Sequence, residues 1–229
     1  MDCVTCKVRH GREIKGDRYK VFVGSSTLHD VWLEDTVRNP FHIDNISICG
    51  GTMRMGRMSF AQAYNLQDKA VDVVAQFGLN DVRKIEASAF KLEMLQWIFS
   101  IEAHEMTYGV QDTIGFVKMP HAPCMAWLPG NGPFPTSNYW NFLYKVDTFN
   151  KIIGDVNSTS GKCRNVVSFQ NEGHRTARNG LPQHELRNWR EEKPEDMLHL
   201  KDFLRAKMYK RVVKYFKEST IQCEEDTYL

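Results

Sequence analysis

The chain has 229 residues, 42% of them hydrophobic and 25% charged, with a formal net charge of +2. That length suits one α/β domain with a sizeable core, and the near-neutral balance leaves no global electrostatic case for nucleic acid. No apolar run is long enough to span a bilayer, and the N-terminus, Met1-Asp2-Cys3-Val4-Thr5-Cys6, lacks the apolar centre of a signal peptide, so an intracellular location is expected. The six cysteines are scattered, which fits a reduced compartment better than a disulfide framework.

Residues 1–14 read as an appendage, residues 15–218 as the domain and residues 219–229 as a tail. In the appendage, Cys3 and Cys6 with His10 have the spacing of metal ligands. Structural zinc wants four ligands, so three readings stay open: a truncated zinc element, a site completed by Cys49 or a distant histidine, or plain thiols.

In the domain, strands alternate with helices. Tyr19-Lys20-Val21-Phe22-Val23 is a short β-rich run ended by glycine, and a helix is expected over residues 27–37. Asn45-Ile46-Ser47-Ile48-Cys49 is the second strand, and a short helix follows over residues 60–69. Residues 70–77 are the third strand, rich in valine. Phe90, Met94, Ile98 and Ile101 repeat near the helical period within residues 85–106. Residues 113–119 form the fourth strand, stopped by Pro120, and four more prolines make residues 120–137 an irregular loop. Helical spacing returns over residues 140–156, residues 165–169 read as a fifth strand, and residues 200–216 close the chain as an amphipathic helix. Such alternation predicts a five-stranded parallel sheet covered on both faces, with functional groups at the carboxyl ends of the strands.

Four short blocks then become informative together: Gly24-Ser25-Ser26, Gly50-Gly51-Thr52, Gly78-Leu79-Asn80-Asp81 and Asp196-Met197-Leu198-His199. Each of the first three follows a predicted strand, and the fourth opens the last helix. In these blocks the chain resembles the SGNH (GDSL-type) hydrolases over residues 19–216. The resemblance implies a flavodoxin-like three-layer α/β/α sandwich and ester hydrolysis. It places Ser26 as nucleophile, His199 as base and Asp196 as its orienting acid. The oxyanion donors it implies are the Ser26 and Gly51 amides and the Asn80 side chain, with Gly50 as the register alternative. Ser25 stands where the family has aspartate.

Physical chemistry supports the same assignment. A serine hydroxyl needs a base within hydrogen-bond reach, and a histidine serves when a carboxylate holds its second nitrogen. Asp196 lies three residues before His199, so one turn can present both to the same side. No cofactor is needed for this chemistry, although zinc at Cys3, Cys6 and His10 stays open as a structural element. A small acyl ester, of acetyl type, is the expected substrate.

Other readings compete. Singly, Ser26 or Asp196 fits a helix cap, and Asn80-Asp81 an ordinary turn. The basic residues crowding the last quarter, Arg175 to Lys217, read as solvated, or as a cationic lid for an anionic or nucleic-acid-attached substrate. The main rival is a catalytically weak or inactive binding module of the same fold. Similar domains occur in mobile-element (non-LTR retrotransposon) reading frames, where nucleic acid would be the partner. Oligomeric state is not encoded in any motif.

Overall fold

The computed structural model describes residues 6–9, 18–25, 43–64, 68–119, 137–159, 210 and 212–217. They form β1 (Cys6–Arg9), β2 (Arg18–Ser25), β3 (Ile43–Ile48), α1 (Met53–Tyr64), β4 (Ala70–Gln76), α2 (Ala87–Tyr108), β5 (Thr113–Phe116) and α3 (Ser137–Thr159). One sheet runs in the order β1-β3-β2-β4-β5. Strands β3, β2, β4 and β5 are parallel. The fold is the expected flavodoxin-like α/β/α sandwich, but its described strands are not all parallel. β1 comes from the segment expected to be an appendage and runs antiparallel along β3, from Cys6 opposite Ile48 to Arg9 opposite Asn45. The predicted strand over residues 165–169 and the helix over 27–37 lie outside the described residues.

The four parallel strands are buried on both faces, so polar residues such as Lys20, Asp44, Asn45 and Asp72 are buried among their apolar ones. Strand alternation splits them between two helical layers. Val21 and Val23, Ile46 and Ile48, Val73 and Ala75, and Ile114 and Phe116 point into one core with α1, α2 and α3. At its centre the fully buried Trp97 of α2 touches Phe60, Phe77 and Phe116, with ring centroids 5.6–6.2 Å apart. On the other face the helical residues 212–217 supply buried Val212, Tyr215 and Phe216. Gly115 of β5 admits the Tyr215 ring there; a Cβ would approach it to 3.2 Å.

The helices begin and end for local reasons. α1 starts at Met53, seven residues before the expected Phe60. Thr52 caps it, its carbonyl accepting from the Gly56 amide at 2.9 Å. α2 ends at Gly109, whose left-handed φ of 65° lets its amide close on the Glu105 carbonyl. α3 ties itself to β5 and to Met119 just beyond it with two asparagines seven residues apart. Asn157 bonds both the amide and the carbonyl of Phe116, at 3.1 and 2.8 Å, and Asn150 does the same for Met119, at 2.7 and 3.0 Å. Each side-chain amide thus stands in for the peptide of a neighbouring strand.

Candidate active site

The sheet registers bring three of the four blocks to one end of the molecule. Ser25 closes β2 level with Ile48 of β3, and Gly24 is level with Gln76 of β4. The chain therefore leaves these three neighbouring strands at nearly the same height. β2 lies between the other two, and its successors lie on opposite sides of it, so the carboxyl end of β2 beside β4 is the switch point of the sheet.

The second block is a tight turn. The Gly51 amide donates to the Ile48 carbonyl at 3.0 Å, and Gly50, at the third turn position, has φ +64°. Only glycine fits at 51, because a Cβ would come within 2.8 Å of the Ile48 carbonyl oxygen. Gly50 is needed for its φ alone, since a Cβ there would meet nothing within 4 Å. The Gly51 N–H, expected as an oxyanion donor, is thus already engaged by the turn. The turn bond does not use the N–H of Gly50, which is exposed.

The third block faces this turn and is tied to it twice. The Asn80 side-chain amide donates to the Gly51 carbonyl at 2.9 Å. Asp81, 1% exposed, accepts from the Met53 amide through both carboxylate oxygens at 3.1 Å, anchoring the start of α1. Burial pushes the Asp81 carboxyl up to about 6, against the Met53 and Asp81 amides and Lys84, which pull it down; Glu93 adds to the rise. Gly78 begins the loop at φ +128°, a conformation open to glycine, and its carbonyl accepts from the Val82 amide at 2.8 Å. An amide NH₂ carries two hydrogens, so the bond to Gly51 leaves Asn80 a second donor.

The structure therefore brings Gly51 and Asn80 together at the end of β2. Ser26 follows Ser25 directly in sequence, but Ser26, Asp196 and His199 lie outside the described residues. Ser25 is buried, and its hydroxyl lies 3.5 Å from the Gln76 side-chain oxygen. Asp81 does more than an ordinary turn requires: it anchors α1 from within the Gly-x-Asn-Asp block, through a partner 28 residues away.

Of the proposed zinc ligands, Cys6 is the first residue of β1, and Cys3 and His10 lie outside the described residues. Among the described residues no group of three or more His, Cys, Asp or Glu could hold a metal ion. Cys49 is disulfide-bonded, which departs from the reduced cysteines expected of the chain. No helix among the described residues is long and apolar enough to cross a membrane.

Solved structures with this architecture decide the fold. An acylhydrolase assignment from Bacteroides fragilis superposes with a TM-score of 0.61 at 12% identity, covering 90% of each chain. The chain has the SGNH-hydrolase fold. Two further solved structures agree. One is a protein assigned as a platelet activating factor of Streptococcus pneumonia, with TM-score 0.56, 12% identity and coverage of 89% of this chain and 84% of that one. The other is the psychrotrophic esterase EstA of Pseudoalteromonas sp., inhibited by monoethylphosphonate, with TM-score 0.51, 13% identity and coverage of 88% and 100%. No protein-family model matches the chain, and no curated protein matches it.

Proposed function

We propose that the chain is a serine-dependent esterase acting on small acyl esters. The observation that carries the reading is the convergence of the Gly50-Gly51 turn and Asn80 at the carboxyl end of β2, the strand that leads into Ser26. Ser26 is the nucleophile, His199 its base and Asp196 the carboxylate that holds the imidazole tautomer. Serine attack on the ester carbonyl forms a tetrahedral oxyanion and passes the hydroxyl proton to His199. His199 returns that proton to the leaving alcohol, and water then releases the acid from the acyl-serine by the reverse sequence. The oxyanion donors are the Ser26 amide, the second Asn80 hydrogen and, from the turn, the Gly50 amide, because the Gly51 amide is committed to Ile48.

A fluorophosphonate probe tests this directly. It should attach to Ser26, identified by peptide mass spectrometry, and Ser26→Ala should abolish both labelling and p-nitrophenyl acetate hydrolysis. Without chelatable metal in the mechanism, a chelator should leave turnover intact. The dependence of log kcat/KM on pH should rise through one value near that of histidine, and His199→Ala should flatten it. The engaged Gly51 amide favours one rival, a catalytically silent binding module, for which nucleic acid is the partner to try. Absent labelling of any serine, with no esterase turnover, would favour that module.

A further inference from the structure

Gly50 and Asn80 belong to two small bodies, each bonded within itself. One is the turn of residues 48–51 running into α1. Its Gly51 amide donates to the Ile48 carbonyl at 3.0 Å, and the Gly56 amide donates to the Thr52 carbonyl at 2.9 Å. The other is the loop of residues 78–85. There the Val82 amide donates to the Gly78 carbonyl at 2.8 Å, and the Asp81 carbonyl accepts from the Lys84 and Ile85 amides at 2.8 and 2.9 Å. Two donors carried on separate bodies stabilise one developing charge only if their separation is set beforehand.

Two side chains of the loop reach across to the first body. Asn80 donates to the Gly51 carbonyl, and Asp81 accepts from the Met53 amide. These ties are not equivalent. The first uses the NH₂ group whose other hydrogen is an oxyanion donor, so any slack in this bond moves the donor with it. The second draws on neither donor. The Met53 nitrogen lies 3.1 Å from each carboxylate oxygen, and the carboxylate also accepts from the Asp81 amide. Such charge-assisted bonds are roughly twice as strong as neutral ones. Asparagine would offer one oxygen and turn an NH₂ toward the Met53 amide in place of the other. Water cannot take over this tie, because Met53 and Asp81 are both buried. Beneath it the ring of Phe77, the residue before Gly78, occupies the space that a Cβ at Gly56 of α1 would need.

We propose that, within the serine-esterase reading above on which this rests, Asp81 is a positioning residue: by holding the start of α1 it sets the gap between the Gly50 amide and the Asn80 side chain.

Steady-state hydrolysis of p-nitrophenyl acetate by the full chain tests this, with fluorophosphonate labelling of Ser26 in the parent as control and rates referred to folded protein. Asp81→Ala should lower kcat about 100-fold with KM little changed, the scale of a misplacement of about 1 Å. Asp81→Asn keeps one acceptor oxygen and should recover most of that loss, with kcat about 3- to 10-fold below the parent. An Asn80→Ala/Asp81→Ala double variant should fall no more than about tenfold below Asn80→Ala, because a donor already removed cannot be misplaced. Should Asp81→Ala fail to fold, Asp81→Asn decides by its kcat at unchanged KM. An unchanged kcat in the folded variants, a loss carried by KM, or a further loss of about 100-fold on the Asn80→Ala background would each overturn the proposal while Ser26 still labels. A parent that neither labels nor turns over would overturn the esterase reading itself, and this proposal with it.

Discussion

The two ends of the sheet are held together by different chemistry. At the amino end the ties are ionised side chains. Asp72 of β4, fully buried, accepts from Arg18 at 2.6 Å, Lys20 at 2.9 Å and Thr113 at 2.9 Å, joining three strands. Next to it, the Asp112 carboxylate bonds His104 at 2.8 Å and the Val71 amide at 2.7 Å, and Tyr19 donates to Asp44. At the carboxyl end the ties run through the backbone: Asn80 to a carbonyl, Asp81 to an amide, and two glycines at positive φ. Charged clusters rigidify strands but leave little for a ligand to bond. Backbone turns leave N–H groups pointing out of the fold, and these can meet a developing negative charge. The difference teaches that one end is tied by side-chain charge across strands and the other by turns that join backbone groups.

The comparison breaks first at Asp72. Asp72→Ala removes the carboxylate shared by half-buried Arg18 and buried Lys20 and should cost about 3–5 kcal/mol, read as a lower urea midpoint. Any folded fraction should retain esterase turnover per molecule. A loss under about 1 kcal/mol would show that the cluster does not govern the amino end.

Asn80→Ala should do the reverse. We expect kcat to fall about 100- to 1000-fold, equivalent to about 2.7–4 kcal/mol at the transition state, with KM little changed. Stability should drop by only about 1 kcal/mol, the worth of one hydrogen bond. A pure KM effect would remove Asn80 from the oxyanion site.

The pH dependence of stability separates the two ends by sign. Burial would raise the Asp72 carboxyl, but bonding to Arg18 and the charges of Lys20 and Arg18 outweigh it and hold it below the usual range. The unfolded chain therefore binds its proton more readily, and the stability Asp72 provides is lost as pH falls below about 4. Asp81 is raised to about 6, so the folded chain holds the proton more tightly, and stability declines as pH rises from about 4 through 6. Asp81→Asn should remove that decline, roughly 3 kcal/mol across the window, in chemical unfolding followed at several pH values. An unchanged slope would place the titration elsewhere.

The smallest effect belongs to the turn. Gly50→Ala introduces strain at φ +64° without a clash and should cost about 1 kcal/mol. Because it leaves the amide in place, kcat should move less than for Asn80→Ala. Equal losses of rate and stability would mean that the turn serves only to reverse the chain.

The parallel strands could be read directly because burial on both faces concentrates apolar β-formers, as between Val71 and Phe77, where only Asp72 and Gln76 are polar. The glycine blocks could be placed because they interrupt those runs. Other features are set by partners distant in sequence. Gly56 sits inside α1, ahead of the start expected at Phe60. In the fold a Cβ there would overlap the Phe77 ring at 2.2 Å, and Asp81 supports the helix start from another loop. The pairings of Arg18 with Asp72 and His104 with Asp112 carry no local pattern either. β1 was hidden because four residues, Cys6-Lys7-Val8-Arg9, are too few for alternation to register, and the cysteine spacing suggested metal instead.

β1 has one further consequence. It is antiparallel and short, and it occupies the flank of β3 from Ile48 to Asn45. A recombinant chain begun near residue 15 would present that flank as a row of bare peptide groups beside a fully buried strand, a ready template for another chain to extend. Among the described residues β1 thus covers that flank, and trimming it should yield aggregates that stain as cross-β rather than a smaller, tidier domain.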